Sequence, residues 1–196
     1  VFHHFLTWII VVACLILVII CTPTLIHILN PSGIDDPRSG ARYEFSSYSE
    51  LCSVLPEGSI IANIPNSKEA NINAYVECPD GTTNFTDYNN FSYLNVDISY
   101  DDSTGVSIFC LVKSEKTAKE DIGRKSTLFL SKKVNMVTIS DYDIYYISYE
   151  DASHENGIVE INIAEVSIDG SLYKFSTTTF SQKELIQYII DVLNCR

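Results

Sequence analysis

EVSIDGSLYKFSTTTFSQKELIQYIIDVL, residues 165–193, is the stretch that decides the fold. Asp169-Gly170 separates two runs of alternating apolar and polar residues. Both residues tolerate the positive φ of a type I′ turn, so Gly157–Ile168 and Ser171–Ser176 read as a β-hairpin. The period then changes from two to about four. Ser181 and Glu184 have the spacing of a capping box, Phe180 and Leu185 sit where a hydrophobic staple would, and Leu185, Ile189 and Leu193 share one helical face. A hairpin and a helix each present one apolar face to bury, which predicts an antiparallel sheet with a helix docked on it.

Upstream the same grammar repeats. Ser47 and Glu50 form a second capping-box pair, and Tyr48, Leu51, Cys52 and Leu55 fall at i, i+3, i+4 and i+7 before Pro56 and Gly58. Strands are expected at Ser59–Ile64, Ala70–Cys78, Tyr93–Tyr100 and Val106–Lys113, with Asp101–Gly105 as a hairpin connection. Ser114–Lys125 reads as a loop or short helix, followed by strands at Leu128–Leu130, Val134–Ile139 and Ile144–Tyr149. The expected architecture is α+β: one domain over 42–196, an antiparallel sheet flanked by a short N-terminal helix and a C-terminal helix.

Ahead of it, Phe5–Leu29 contains no Asp, Glu, Lys or Arg. At roughly 1.5 Å rise per residue this run reaches across a hydrocarbon core of about 30 Å. Residues 1–30 are therefore expected to form a transmembrane anchor, with Trp8 at one interface and Pro23 near the end of the regular helix. A cleaved signal peptide has a shorter apolar region, of about 7–15 residues. Val11–Cys14 loosely matches a lipoprotein box, but Leu15–Ile20 stay apolar where a mature lipoprotein turns polar. Residues 31–41, PSGIDDPRSGA, read as a linker. Flanking charges do not set the orientation. A single span ahead of an acidic, cysteine-containing domain places that domain outside the cytoplasm, at the cell membrane.

The net charge of −12 lies wholly beyond position 34, which argues against nucleic acid and anionic lipid surfaces as partners. Chemistry-bearing clusters are sparse. Glu150, Asp151, His154 and Glu155 lack the ligand spacing of a calcium loop and read as a solvated hairpin tip. Asp97, Asp101 and Asp102, and likewise Asp141 and Asp143, read as turn chemistry. Ser171 and Lys174 match S-x-x-K, but in a strand they lie on opposite faces. Cys14 and Cys21 lie within the apolar run. Cys52, Cys78, Cys110 and Cys195 lie in the domain and allow three full disulfide pairings, with free buried thiols equally compatible. Asn84-Phe85-Thr86 and Asn90-Phe91-Ser92 fit the N-glycosylation pattern, and Phe85, Tyr88, Phe91 and Tyr93 mark a packed surface loop, with a ligand-binding loop as the alternative. No residue is assigned a catalytic, cofactor-binding or metal-binding role, and no cofactor is expected.

YEFSSYSELCSVLPEGSIIANIP, Tyr43–Pro65, and the closing hairpin and helix, Glu165–Leu193, resemble the start and end of the bacterial extracytoplasmic domain-of-unknown-function family 4367; Val166 stands where an aromatic is expected. The resemblance implies a membrane-tethered extracytoplasmic α+β domain, found in some members behind a cytoplasmic anti-sigma segment, and it transfers no catalytic residues. The function expected is thus a membrane-anchored, non-enzymatic sensor or interaction domain with a protein or small-ligand partner. The alternative is a cell-envelope enzyme or metal-binding protein with a site in the acidic loops.

Overall fold

The computed structural model describes residues 41–79, 84–128, 133–152 and 158–194, with the side chains of 126–128 excepted. The expected anchor, nearly all of the linker, the centre of the Glu150–Asn156 loop with His154 and Glu155, and Cys195 lie outside these residues. Among the described residues no helix is long and apolar enough to cross a membrane.

Residues 39–196 form one compact unit. Its strands are β1 (Ala41–Phe45), β2 (Ala70–Cys78), β3 (Tyr93–Tyr100), β4 (Gly105–Leu111), β5 (Asn135–Ile139), β6 (Tyr142–Asp151), β7 (Val159–Ile168) and β8 (Ser171–Thr177). They make a single eight-stranded sheet in the order β1-β2-β3-β4-β8-β7-β6-β5, antiparallel at every junction. Its helices are α1 (Tyr48–Val54), α2 (Ala118–Leu128) and α3 (Gln182–Asn194). This is the expected α+β class.

The deciding stretch folds as read. Asp169 and Gly170 take φ of 49° and 76°, and Ile168 pairs with Ser171 across the turn. Ser181 and Glu184 form the reciprocal cap: Ser181 N donates to Glu184 Oε2 (2.8 Å), and Glu184 N donates to Ser181 Oγ (3.4 Å). The cap of α1 differs. Glu50 N donates to Ser47 Oγ (3.1 Å), but the Glu50 carboxylate reaches past Ser47 to Ser46 N (2.7 Å) and to the Tyr43 hydroxyl (2.5 Å). Gly105 has a steric reason: a Cβ there would stand 2.6 Å from the Ile98 carbonyl oxygen.

Three expectations are corrected. Ser59–Ile64 is not a strand; Ile60–Asn63 form a 3-10 turn. Adjacent Ile60 and Ile61 are both buried, which the alternation of a strand on a one-sided core does not permit. Tyr48 fixes the turn by donating its hydroxyl to the Ile61 carbonyl (2.8 Å) and accepting from Ile64 N (3.4 Å). The domain opens on β1 instead of on a helix, and β1 takes Ala41 from the expected linker. Leu128 belongs to the end of α2 instead of to a strand, and the other two residues of that expected strand, Phe129 and Leu130, lie outside the described residues.

The main core lies on the inner sheet face. Val76, Leu94, Val96, Ile108, Ala164, Val166 and Phe175 pack beneath Leu51 of α1, Ile60 and Ile61 of the 3-10 turn, and Leu185, Ile189 and Val192 of α3. On the outer face α2 packs on β6 and β7, where Ile122 meets Ile147 and Ile163, and its Asp121 reaches Lys174 of β8. The outer face over β1–β4 carries no helix among the described residues.

Candidate functional site

One cross-strand row traverses the whole outer face. Register places Glu44, Tyr75, Asn95, Phe109, Lys174, Glu165, Tyr145 and Met136 side by side on successive strands. Its middle is charged and buried. Glu165 is 0% exposed and Asp121, from the first turn of α2, 3% exposed. Lys125 Nζ lies 2.6 Å from Glu165 Oε1, and Lys174 Nζ lies 2.9 Å from Asp121 Oδ2. Glu165 Oε2 has no hydrogen-bond partner. Burial pushes the Glu165 carboxyl up to about 6 against the pull of Lys125. Burial also raises Asp121, but the hydrogen bond and charge of Lys174 outweigh it and hold that carboxyl below its usual value. Burial lowers the Lys174 ammonium.

Towards β1 this face turns aromatic. Tyr75, Tyr93 and Phe109 follow one another with ring centroids 6.2 Å and 4.9 Å apart. Both ends are already occupied by cations of the chain itself: the Arg42 guanidinium carbon sits 3.7 Å from the Tyr75 centroid, and Lys174 Nζ 5.6 Å from that of Phe109. Tyr93 donates to Glu77 (2.5 Å), and Asp97 accepts from Asn95 (2.9 Å) and Ser107 (2.6 Å). This surface satisfies itself, which is the signature of a packed, hydrogen-bonded sheet face.

A different arrangement appears on the other side of the molecule. A cleft of about 540 Å³ opens between α3, the β3–β4 turn and the connection from the 3-10 turn to β2. Glu184, Gln187, Tyr188 and Asp191 line it at i, i+3, i+4 and i+7 of α3, opposite Tyr100, Asp101 and Asp102 of the turn and Glu69 and Pro65 of the connection. Phe180 completes the wall, its ring centroid 5.9 Å from that of Tyr188. Five carboxylates therefore line the cleft, with no lysine or arginine among the described lining residues. Local bonds fix three of them: Asp102 accepts from Thr104 N (2.9 Å), Glu184 from Ser181, and Asp191 from Gln187 (2.9 Å). These bonds keep Asp102 and Glu184 ionised, their carboxyls held low by Thr104 and Ser181 respectively. Tyr188 is the one buried lining residue, 7% exposed, and its hydroxyl oxygen has no donor among the described residues. The Tyr100 hydroxyl donates to the Pro65 carbonyl (2.9 Å) and faces the Tyr188 hydroxyl with its oxygen. The size and mixed lining suit a small ligand.

The residues singled out from sequence are dispersed. Asp97 lies on the outer sheet face, away from its sequence neighbours Asp101 and Asp102 in the turn. Asp143 accepts from Thr138 across the β5–β6 pair (2.7 Å). Ser171 faces the inner side near Tyr88, and Lys174 the outer side, as alternation requires. Phe91 is buried, Phe85 stacks on Tyr43, and the Tyr88 hydroxyl lies 3.4 Å from Cys110 Sγ, so these aromatics cover the core as a packed loop. Cys52, Cys78 and Cys110 are free thiols, which rules out bridges among these three. Cys78 and Cys110 lie on β2 and β4 with β3 between them, a spacing of roughly 9–10 Å that no disulfide spans. Burial pushes the Cys110 thiol up to about 11. Among the described residues no group of three or more His, Cys, Asp or Glu could hold a metal ion.

Sequence reasoning missed both carboxylate clusters. The cleft left a signal: Glu184, Gln187, Tyr188 and Asp191 form a polar stripe beside the apolar one on α3. The buried network left one too, because Glu165 and Lys174 are register partners about the Asp169-Gly170 turn. No protein-family pattern and no curated protein matches the chain.

Proposed function

We propose that the chain is a membrane-tethered, non-enzymatic binding module, a sensor or interaction domain outside the cytoplasm, that takes its ligand in the cleft between α3 and the β3–β4 turn. The carrying observation is the cleft itself, whose carboxylates have no lysine or arginine among the described lining residues, whereas the aromatic sheet face is already satisfied. The apolar run Phe5–Leu29 supports the tether. The resemblance of Tyr43–Pro65 and Glu165–Leu193 to the extracytoplasmic family supports the location, and the acidic charge accords with a soluble outer domain.

An NMR screen of chemically diverse small molecules against the full chain in a maltoside detergent tests the reading. Shifts should concentrate at Tyr100, Phe180 and Tyr188. Hits that all fall elsewhere, or a bound compound that is turned over, would overturn it. Location is tested separately with Glu57→Cys, an exposed position after α1. A membrane-impermeant maleimide should label it in intact cells beyond the wild-type background; no added labelling places the domain inside.

A further inference from the structure

We infer that the cleft ligand is a small organic polycation, an alkylamine carrying two or more ammonium groups. This rests on the binding-module reading and names its ligand. Three independent features of the cleft converge on that chemistry.

The first is charge. Five carboxylates face one cavity, and among the described residues none of them is in an ion pair. They do not converge on one point, since no three of them could hold a metal ion. Separated negative charges around a cleft of about 540 Å³ match a ligand whose positive charges are also separated. The second is the wall. Tyr100, Phe180 and Tyr188 present aromatic surface, and an ammonium group is drawn to the face of such rings. On the sheet face the chain places Arg42 and Lys174 over its own rings; among the described residues no lysine or arginine stands over these three. The third is the floor. The buried Tyr188 hydroxyl has the Tyr100 oxygen beside it but, among the described residues, no donor to its own oxygen, and an ammonium N–H that reaches it supplies that donor. A methylene chain between ammonium groups fits the apolar part of the lining.

Calorimetric titration of the full chain in a maltoside detergent tests this, with spermidine as probe and 1,8-octanediol and magnesium chloride at matched ionic strength as comparators. Spermidine should bind at one site. Glu69→Gln combined with Asp101→Asn should weaken it at least tenfold, and Tyr188→Phe several-fold. Magnesium binding equal to spermidine, or spermidine binding indifferent to these substitutions, would reduce the effect to diffuse counterion attraction and overturn the inference. Octanediol binding as tightly as spermidine in the cleft would overturn the cationic assignment while leaving the binding-module reading in place. No spermidine binding would also overturn it, and the broader NMR screen then decides the binding-module reading on its own.

Discussion

Two clusters of carboxylates define this domain, and they are solved in opposite ways. Asp121 and Glu165 lie between α2 and the sheet at 3% and 0% exposure, and the chain supplies Lys125 and Lys174 within ion-pair distance of them. The five carboxylates of the cleft meet no lysine or arginine among its described lining residues. Taking an ion out of water costs several kcal/mol unless a partner charge stands beside it. Inside, therefore, compensation has to be internal. At the surface water screens the charges, and a cluster left uncompensated there costs little. The buried cluster is thus an element of the fold, and the exposed one is available to something outside the chain.

The sharpest way to break this contrast is to remove a buried cation. Lys174→Met removes the 2.9 Å partner of Asp121 and leaves it the longer contacts of Lys125 at 3.5 Å, shared with Glu165, and of the half-exposed Arg124 at 3.7 Å. Urea unfolding of the full chain should show a loss of about 2–4 kcal/mol, at or below the cost of a wholly unpaired buried charge because Lys125 and Arg124 remain in reach. Adding Asp121→Asn should recover more than half of it. A loss below about 1 kcal/mol would mean that water already reaches the network and that the two clusters do not differ in kind.

The next effect is a pH dependence with two opposite slopes. Glu165 has its carboxyl raised to about 6, so its burial favours folding while it is protonated. That contribution is complete below the unfolded value of 4.5 and is lost as pH rises through about 6. Asp121 is held below its unfolded value of 3.8, so its contribution is present above that value and is lost as pH falls. Together they place a stability maximum between about pH 4 and 5. The decline on the alkaline side should be about 2 kcal/mol, at 1.36 kcal/mol per unit. Glu165→Gln keeps an acceptor for Lys125 and should abolish that decline in unfolding curves taken from pH 4 to 7. An unchanged slope in this variant would assign the titration to another group.

The same contrast explains how much was legible in the sequence. Elements whose signals are local were read well: β2 and β3 run from Ala70 to Cys78 and Tyr93 to Tyr100 as their alternation predicts, and the Asp169-Gly170 hairpin and α3 cap form from residues adjacent in sequence. Elements whose stability is tertiary were not. α2 has a narrow apolar stripe; its start is held by the Thr117–Glu120 cap and by Ala118 N donating to Ser167 Oγ (2.9 Å), and its middle by Asp121 and Lys125 reaching the sheet. The 3-10 turn at Ile60–Asn63 depends on the Tyr48 hydroxyl. The cleft draws its walls from four separate segments, so no window of sequence contains it.

Tyr188 carries the contrast into a single side chain. Its hydroxyl is buried with no donor to its oxygen among the described residues, and burial, then the hydrogen bond towards Tyr100, raise its pKa. If that oxygen only burdens the fold, Tyr188→Phe removes an unsatisfied group and should stabilise the domain in the absence of ligand, by up to about 1 kcal/mol. A loss of stability on thermal unfolding would instead mean that the hydroxyl is satisfied within the fold, and the floor of the cleft would offer nothing to a ligand.

The smallest effect is the most discriminating for the exposed cluster. Glu69 and Asp101 are both exposed, and no hydrogen bond or ion pair described for either side chain ties it to the fold. Neutralising both, as Glu69→Gln with Asp101→Asn, removes mutual repulsion in the cleft and should change stability by no more than about 0.5 kcal/mol, with any change being a gain at low salt. Because repulsion between exposed charges is screened over about 10 Å at 0.1 M, that gain should vanish at high ionic strength. Unfolding curves for wild type and the double variant at low and high salt measure it directly. A loss comparable to that of Lys174→Met would make these carboxylates structural after all, whereas near-neutrality means that any loss of polyamine binding in the double variant reflects the cleft and not the fold.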